Sequence, residues 1–173
     1  MDAARAGAPW AFARLYRDLS PAVAGYLRIQ RAAEPEDLTS EVFLGVFSGL
    51  DSFEGSEPQF RSWVFTIAHR RLLDERRRAG RRPAQTWLDH DLAPTGGDVE
   101  REAMAALEER WVIDLCARLS ADQRTVLLLR IVADLTAEEV ARVMGKSVGA
   151  VKALQRRGLA SLRRTLAREG VPL

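Results

Sequence analysis

The sequence predicts an all-α protein: two small helical domains joined by a flexible linker, the C-terminal one containing a helix-turn-helix. Three observations lead there. The strong helix formers Ala, Leu, Arg and Glu dominate the 173 residues, while aromatics make up 7% and long runs of Val, Ile and Thr are absent. Apolar residues recur at helical spacing in both halves of the chain. Between the halves, from Arg81 to Asp98, that periodicity stops, and Pro83, Pro94, Gly96 and Gly97 appear among scattered polar residues, the composition of a linker. The expected division is residues 1–82 as a first domain, 83–107 as the linker and the start of a connecting helix, and 108–173 as a second domain.

The first helix is expected over Trp10 to Leu19, with Phe12, Leu15, Tyr16 and Leu19 on one face. Ser20-Pro21 predicts a restart, because Ser caps well and Pro is tolerated at the first helical position, so a second helix runs to about Arg31. Glu34-Pro35 introduces a third, about Glu36 to Leu50. Phe43, Val46, Phe47 and Leu50 share one of its faces, and Asp37, Ser40, Glu41, Leu44 and Ser48 share the other. A turn at Phe53 to Pro58 leads to a helix from about Gln59 to Ala79, with Phe60, Trp63, Val64 and Ile67 as its apolar stripe and Gly80 as its stop. Trp87 and Leu88 are unusual in a free linker and suggest docking.

Asp98 can cap a helix from Val99 to about Arg118. Two capping boxes follow, Ser120-Ala-Asp-Gln123 and Thr136-Ala-Glu-Glu139. In each, the first hydroxyl can accept from the backbone N–H three residues on, and the Gln or Glu can reach back. They open helices over about Ala121 to Val132 and Ala137 to Met144. A long helix then begins after Ser147 and runs to about Arg168.

Composition excludes several classes. The single cysteine, Cys116, permits neither an intrachain disulfide nor a cysteine zinc cluster. No apolar run approaches a membrane span and no signal-peptide core is seen, so a cytoplasmic location is expected, and no cofactor or metal is called for. The two histidines, His69 and His90, lie in no metal or nucleophile motif, which leaves an enzyme as the weakest reading. The formal net charge is only +2, but charge is segregated. Arg76, Arg77, Arg78, Arg81 and Arg82 form one basic knot and Arg156, Arg157, Arg163, Arg164 and Arg168 another, whereas acids gather at Glu34, Glu36, Asp37, Glu41 and Asp51 and again at Asp89, Asp91, Asp98, Glu100 and Glu102. Separate surfaces for separate partners are implied.

Thr136 to Arg157 fits a helix-turn-helix. Ala141 is small where two helices touch, Gly145 accepts a tight turn, and Val140, Met144, Val151 and Leu154 can anchor the second helix on the first. Ser147 caps that second helix, whose outward face carries Gly149, Lys152, Ala153 and Arg156. Small residues allow close approach to duplex DNA, and the cations reach phosphates or base edges. A plain helical hairpin with a solvated basic face has the same spacing. The Arg-rich continuation favours DNA, since phosphate contacts supply most of the affinity. The acidic face of the third helix and the basic run Arg70 to Arg82 could each be ordinary solvated surface, with Asp74 paired to Arg70 and Arg78. In combination, clustered Arg beside an aromatic suits unpaired DNA, although Trp63 sits on the apolar stripe.

The whole chain resembles the extracytoplasmic-function sigma factors. Asp37-Leu-Thr-Ser-Glu-Val-Phe-Leu-Gly-Val-Phe, Leu50-Asp-Ser-Phe53, Phe60-Arg-Ser-Trp63 and Ile67-Ala…Leu73-Asp74…Arg77 are similar to their promoter-melting domain. Leu119 to Arg130, followed by Leu135 to Arg164, is similar to their second domain. The resemblance implies that Asp37, Leu38, Ser40, Glu41 and Leu44 bind the beta-prime clamp of core RNA polymerase, with the beta flap as a further contact. It implies that Arg61, Trp63, Thr66, His69, Arg70, Arg71, Asp74, Arg77 and Arg78 open and hold the minus-ten element of promoter DNA. Ser147, Gly149, Ala150, Lys152, Ala153, Arg156 and Arg157 would read the minus-thirty-five element, the linker would thread the polymerase cleft, and an anti-sigma factor would hold the protein in check. The chain departs from the family at Ser40, commonly Gln, at Arg70, often Asn, and at Leu154, often Arg. The alternative is a stand-alone regulator that binds duplex DNA through its C-terminal domain, which leaves the acidic and basic helices of the first domain without a task.

Overall fold

In a computed structural model of the chain, the described residues are 8–80 and 99–170, with the side chains of 99–102 left out of the description. Among them every regular element is helical: α1 (Pro9–Ile29), α2 (Pro35–Gly49), a 3-10 turn at Leu50–Ser52, α3 (Glu57–Ala79), α4 (Val99–Ala117), α5 (Ala121–Ile131), α6 (Ala137–Met144) and α7 (Val148–Arg168). The expected linker, with Trp87 and Leu88, lies outside the described residues.

The N-terminal unit is α1, α2 and α3 packed on one another. The expected break at Ser20-Pro21 does not occur: α1 runs through Pro21. A proline inside a helix costs one backbone hydrogen bond and some ring crowding, about 3 kcal/mol. Leu19, Val23, Tyr26 and Leu27 bury one continuous face across it, and at about 1.5–3 kcal/mol per large side chain that burial outweighs the break. Rings lock α1 to α2, Phe12 edge-on to Phe47 at 5.1 Å and Tyr16 edge-on to Phe43 at 4.8 Å. At the start of α3 the Gln59 side chain accepts from the Ser56 N–H at 2.8 Å, a capping box like the two further along.

The C-terminal unit joins α4 to a tight trio of α5, α6 and α7. Both expected capping boxes form: the Ser120 and Thr136 hydroxyls accept from the N–H groups of Gln123 and Glu139, and those two side chains accept in return. Gly145 ends α6 with φ of 62°, the left-handed conformation glycine adopts without strain. Val126, Leu129, Leu135, Val140 and Val151 are fully or almost fully buried between these helices. A Cβ on Gly158 would stand 3.0 Å from Leu127 Cδ1, so the glycine sets how closely α7 lies on α5. Arg118 to Glu169, at 3.1 Å, ties the end of α4 to the end of α7. None of the described helices is long and apolar enough to cross a membrane.

Candidate nucleic-acid and polymerase interfaces

The recognition helix is α7. The Ser147 hydroxyl accepts from the Ala150 N–H at 3.2 Å and fixes where it begins. Val151 is buried beneath it and Leu154 packs at the edge of the core, the anchoring expected of both. Lys152, Arg156 and Arg157 are exposed, as are Ser147 and Gly149, while Ala150 and Ala153 are half-buried beside them. Lys152 and Arg156 are one turn apart on this helix. The other lysine, Lys146, pairs with Asp122 of α5 at 3.0 Å and braces the turn.

On α2, Asp37, Ser40, Glu41 and Leu44 are all exposed on one face, Leu44 at 67%. Leu38 differs: it is 8% exposed and belongs to the core. It follows Asp37 by one residue, a rotation of about 100° that carries it off the exposed face and under it. Its contribution to that face is therefore support rather than contact.

Helix α3 presents Arg70, Arg71, Asp74, Arg77 and Arg78 to solvent. Asp74 pairs with Arg77 at 3.2 Å, not with Arg70 and Arg78 as the spacing suggested. Arg71 reaches Glu41 of α2 at 3.6 Å, joining the basic helix to the acidic face. Trp63 is half-buried, stacked on Phe53 at 5.1 Å and tilted against Phe60 at 5.7 Å, and Thr66 hydrogen-bonds back to the Ser62 carbonyl at 2.8 Å. His69 is not on a DNA-facing surface: it is 8% exposed, and its Nδ1 shares a 2.9 Å hydrogen bond with the Tyr26 hydroxyl. Residues Phe65, His69, Leu72 and Arg76 follow a second helical row, which turns toward α1, so α3 is buried on two sides and the single apolar stripe read from sequence was half of its packing. Burial first, and Arg76 second, hold the imidazole below its ordinary value, while Asp122 works the other way. Burial likewise pushes the Tyr26 phenol well above its ordinary range, against the pull of Gln30 and Arg76. Both groups are thus neutral partners inside the fold.

The sequence pattern places Arg76 in a basic knot with Arg77, Arg78, Arg81 and Arg82. The structure turns it inward, where its Nη2 donates to the Gln30 carbonyl at 2.5 Å and to Gln30 Oε1 at 3.1 Å. Among the described residues no cluster of His, Cys, Asp and Glu is arranged to hold a metal ion.

Two helical units, the first with an acidic and a basic helix side by side and the second with a helix-turn-helix, are the parts of a promoter-reading subunit. Residues 15–82 match the Sigma-70 region 2 family and residues 116–164 the Sigma-70 region 4 family, so the class is a sigma-type transcription initiation factor. The chain belongs to the extracytoplasmic-function (ECF) RNA polymerase sigma factor family: it is 36% identical over 132 residues to ECF sigma factor ShbA of Streptomyces griseus, covering 74% of this chain and 69% of ShbA. It is 34% identical over 172 residues to BldN of Streptomyces coelicolor, covering 96% of this chain and 64% of BldN. The solved structure of CnrH, in complex with the cytosolic domain of CnrY, superposes with a TM-score of 0.70 at 25% identity, covering 95% of this chain and 93% of CnrH. The stand-alone regulator reading is not favoured by these relationships, since both sigma regions are present and in order.

Proposed function

We propose that this chain directs core RNA polymerase to promoters by dividing the work among three helices. The exposed face of α2, with Asp37, Ser40, Glu41 and Leu44 above the buried Leu38, binds the beta-prime clamp, and the C-terminal unit adds a contact to the beta flap. Helix α3, through Arg61, Arg70, Arg71, Asp74, Arg77 and Arg78, with Trp63, Thr66 and the buried His69 shaping it, opens and holds the minus-ten element. Helix α7 reads the minus-thirty-five element in the major groove, with Ser147, Gly149, Ala150 and Ala153 setting its approach and Lys152, Arg156 and Arg157 making the long contacts. The observation that carries this reading is the pairing of an exposed acidic face with an exposed arginine helix in the region 2 unit, ahead of a complete helix-turn-helix.

The protein performs no bond chemistry of its own; the polymerase does. It works in the cytoplasm, where core polymerase and promoter DNA are, and needs no cofactor. By its likeness to CnrH, it is held by an anti-sigma factor until a signal releases it. The three units 1–82, 83–107 and 108–173 divide these tasks, and the middle one enters the polymerase cleft. Comigration tests the reading against a DNA-only regulator. The chain should elute with core polymerase on gel filtration and bind promoter DNA tightly only in that complex. Tight, specific duplex binding by the chain alone, with no affinity for core, is the contrary result.

A further inference from the structure

The face of α2 assigned to core polymerase and the helix assigned to the minus-ten element share one pair of side chains. Arg71 Nη1 of α3 lies 3.6 Å from Glu41 Oε2 of α2, with the arginine side chain 43% exposed and the glutamate 51%. At that separation no hydrogen bond forms, so charge alone holds the pair. Its neighbours are differently placed. Glu36 is held by Arg28 of α1 at 3.1 Å, and Asp74 by Arg77 within α3 at 3.2 Å. Asp37, one turn before Glu41 on the same exposed face, and Arg70, next to Arg71 and also exposed, form no ion pair among the described residues. Glu41 and Arg71 thus join a residue assigned to polymerase with one assigned to DNA.

The closed pair works against both assignments. Opposite charges this close cancel much of each other's field. The guanidinium blunts the pull of Glu41 on a cation of the polymerase. The carboxylate blunts the pull of Arg71 on a DNA phosphate and adds a repulsion of its own. We propose that Glu41 and Arg71 are an exchange pair: in the free chain each masks the other, and a polymerase cation that takes Glu41 releases Arg71 to the unpaired minus-ten strand. This exchange rests on the sigma-factor function proposed above and adds a link between its two binding steps.

The link runs in both directions. Coupling between two binding steps is reciprocal, so the gain that core polymerase gives the DNA contact equals the gain that DNA gives core binding. Its size is set by the pair that is broken. An exposed ion pair is weak and screened by salt, a factor of about two to five in a binding constant. That weakness suits an exchange, since a buried, hydrogen-bonded pair resists the loss of either partner. Asp37, unpaired, is open to polymerase whether the pair is closed or not.

The experiment titrates the labelled full chain with core polymerase, comparing wild type, Arg71→Gln, Arg70→Gln, Glu41→Gln and the double variant Glu41→Gln/Arg71→Gln. The substituted side chains are exposed, so each form should fold, with circular dichroism as the check. Removing Arg71 unmasks Glu41, so Arg71→Gln should bind core about two- to fivefold more tightly than wild type. A merely structural arginine has the opposite sign, since its loss weakens binding. Arg70→Gln removes the same charge without breaking a pair and should bind core as wild type does. Glu41→Gln should bind more weakly, and in that background the loss of Arg71 should bring no gain. On a natural promoter, at protein concentrations that saturate core, Arg71→Gln should open less DNA in permanganate footprints. Core affinity of Arg71→Gln at or below wild type, an equal gain for Arg70→Gln or in the Glu41→Gln background, or normal strand opening overturns the exchange alone. Failure of the wild type to bind core, or of Glu41→Gln to weaken that binding, strikes the proposed function and the exchange with it.

Discussion

Removing the two carboxylates of α2 separates binding from folding. In Asp37→Ala/Glu41→Ala, the fold loses little. Glu41 touches Arg71 only at 3.6 Å, with both side chains about half exposed, and such pairs contribute at most about 1 kcal/mol. Asp37 lies in the first turn of α2, where a carboxylate favours the helix dipole by about 0.3–1 kcal/mol; alanine returns part of that through helix propensity. The net destabilisation should stay below about 2 kcal/mol, and circular dichroism should report a folded, cooperatively melting protein. Binding should suffer more. A charge-assisted hydrogen bond is worth about 1.5–3 kcal/mol, so even one lost contact weakens binding to core polymerase at least about tenfold. Titrating fluorescently labelled protein with core measures this directly. Unchanged affinity in a folded variant would refute the reasoning, because the exposed acidic face would then have no part in core binding.

Arg70→Ala or Arg77→Ala should impair strand opening more than initial docking; permanganate footprints that show normal opening on a natural promoter count against this. Lys152→Ala and Arg156→Ala should differ in kind: loss of a base contact costs about 1–3 kcal/mol and relaxes preference at one position, whereas loss of a phosphate contact weakens all sequences alike and lowers the salt slope by about one unit. Transcription across every single-base variant of the upstream element distinguishes them, and uniform loss in both variants shows that neither reads a base. His69 sets a pH dependence. Its folded value lies below the ordinary 6.5, so the unfolded chain binds more protons as pH falls through 6.5; stability present above that pH declines toward the folded value. Urea melts of the wild type should weaken from pH 7.5 to 5.5, and His69→Gln should show a flatter dependence; identical slopes would place the titration elsewhere.

Local signals in the sequence were read well, because their physics is local. Ser120-Gln123 and Thr136-Glu139 cap their helices through contacts three residues apart, and Gly145 turns where a left-handed residue is needed. The same signature stands at Ser56-Glu-Pro-Gln59, and reading that stretch as a turn up to Pro58 started α3 two residues late. Pro21 misled because local preference argued for a break while distant packing on α2 and α3 held the helix whole. The faces of α2 and α3 were legible where one side is buried and blurred where two are. Leu38 and His69 each lie a step away from an exposed face and belong to the interior. The hydrogen bond between the Gln30 and Thr125 side chains had no legible signal: the two are 95 positions apart, and neither residue type nor spacing announces that they meet. Which residues touch polymerase or DNA came from resemblance, since an exposed Arg or Asp has the same chemistry with or without a partner.

The central claim is that one chain gives core polymerase a promoter with two separated elements. Run-off transcription with core polymerase on a random promoter library tests it most directly. Sequencing the transcribed templates should recover two conserved blocks at fixed spacing, with the upstream block losing definition when Lys152 or Arg156 is replaced and the downstream block when Arg70 or Arg77 is replaced. No transcript above that of core polymerase alone, or a single block insensitive to changes in both helices, would contradict the account.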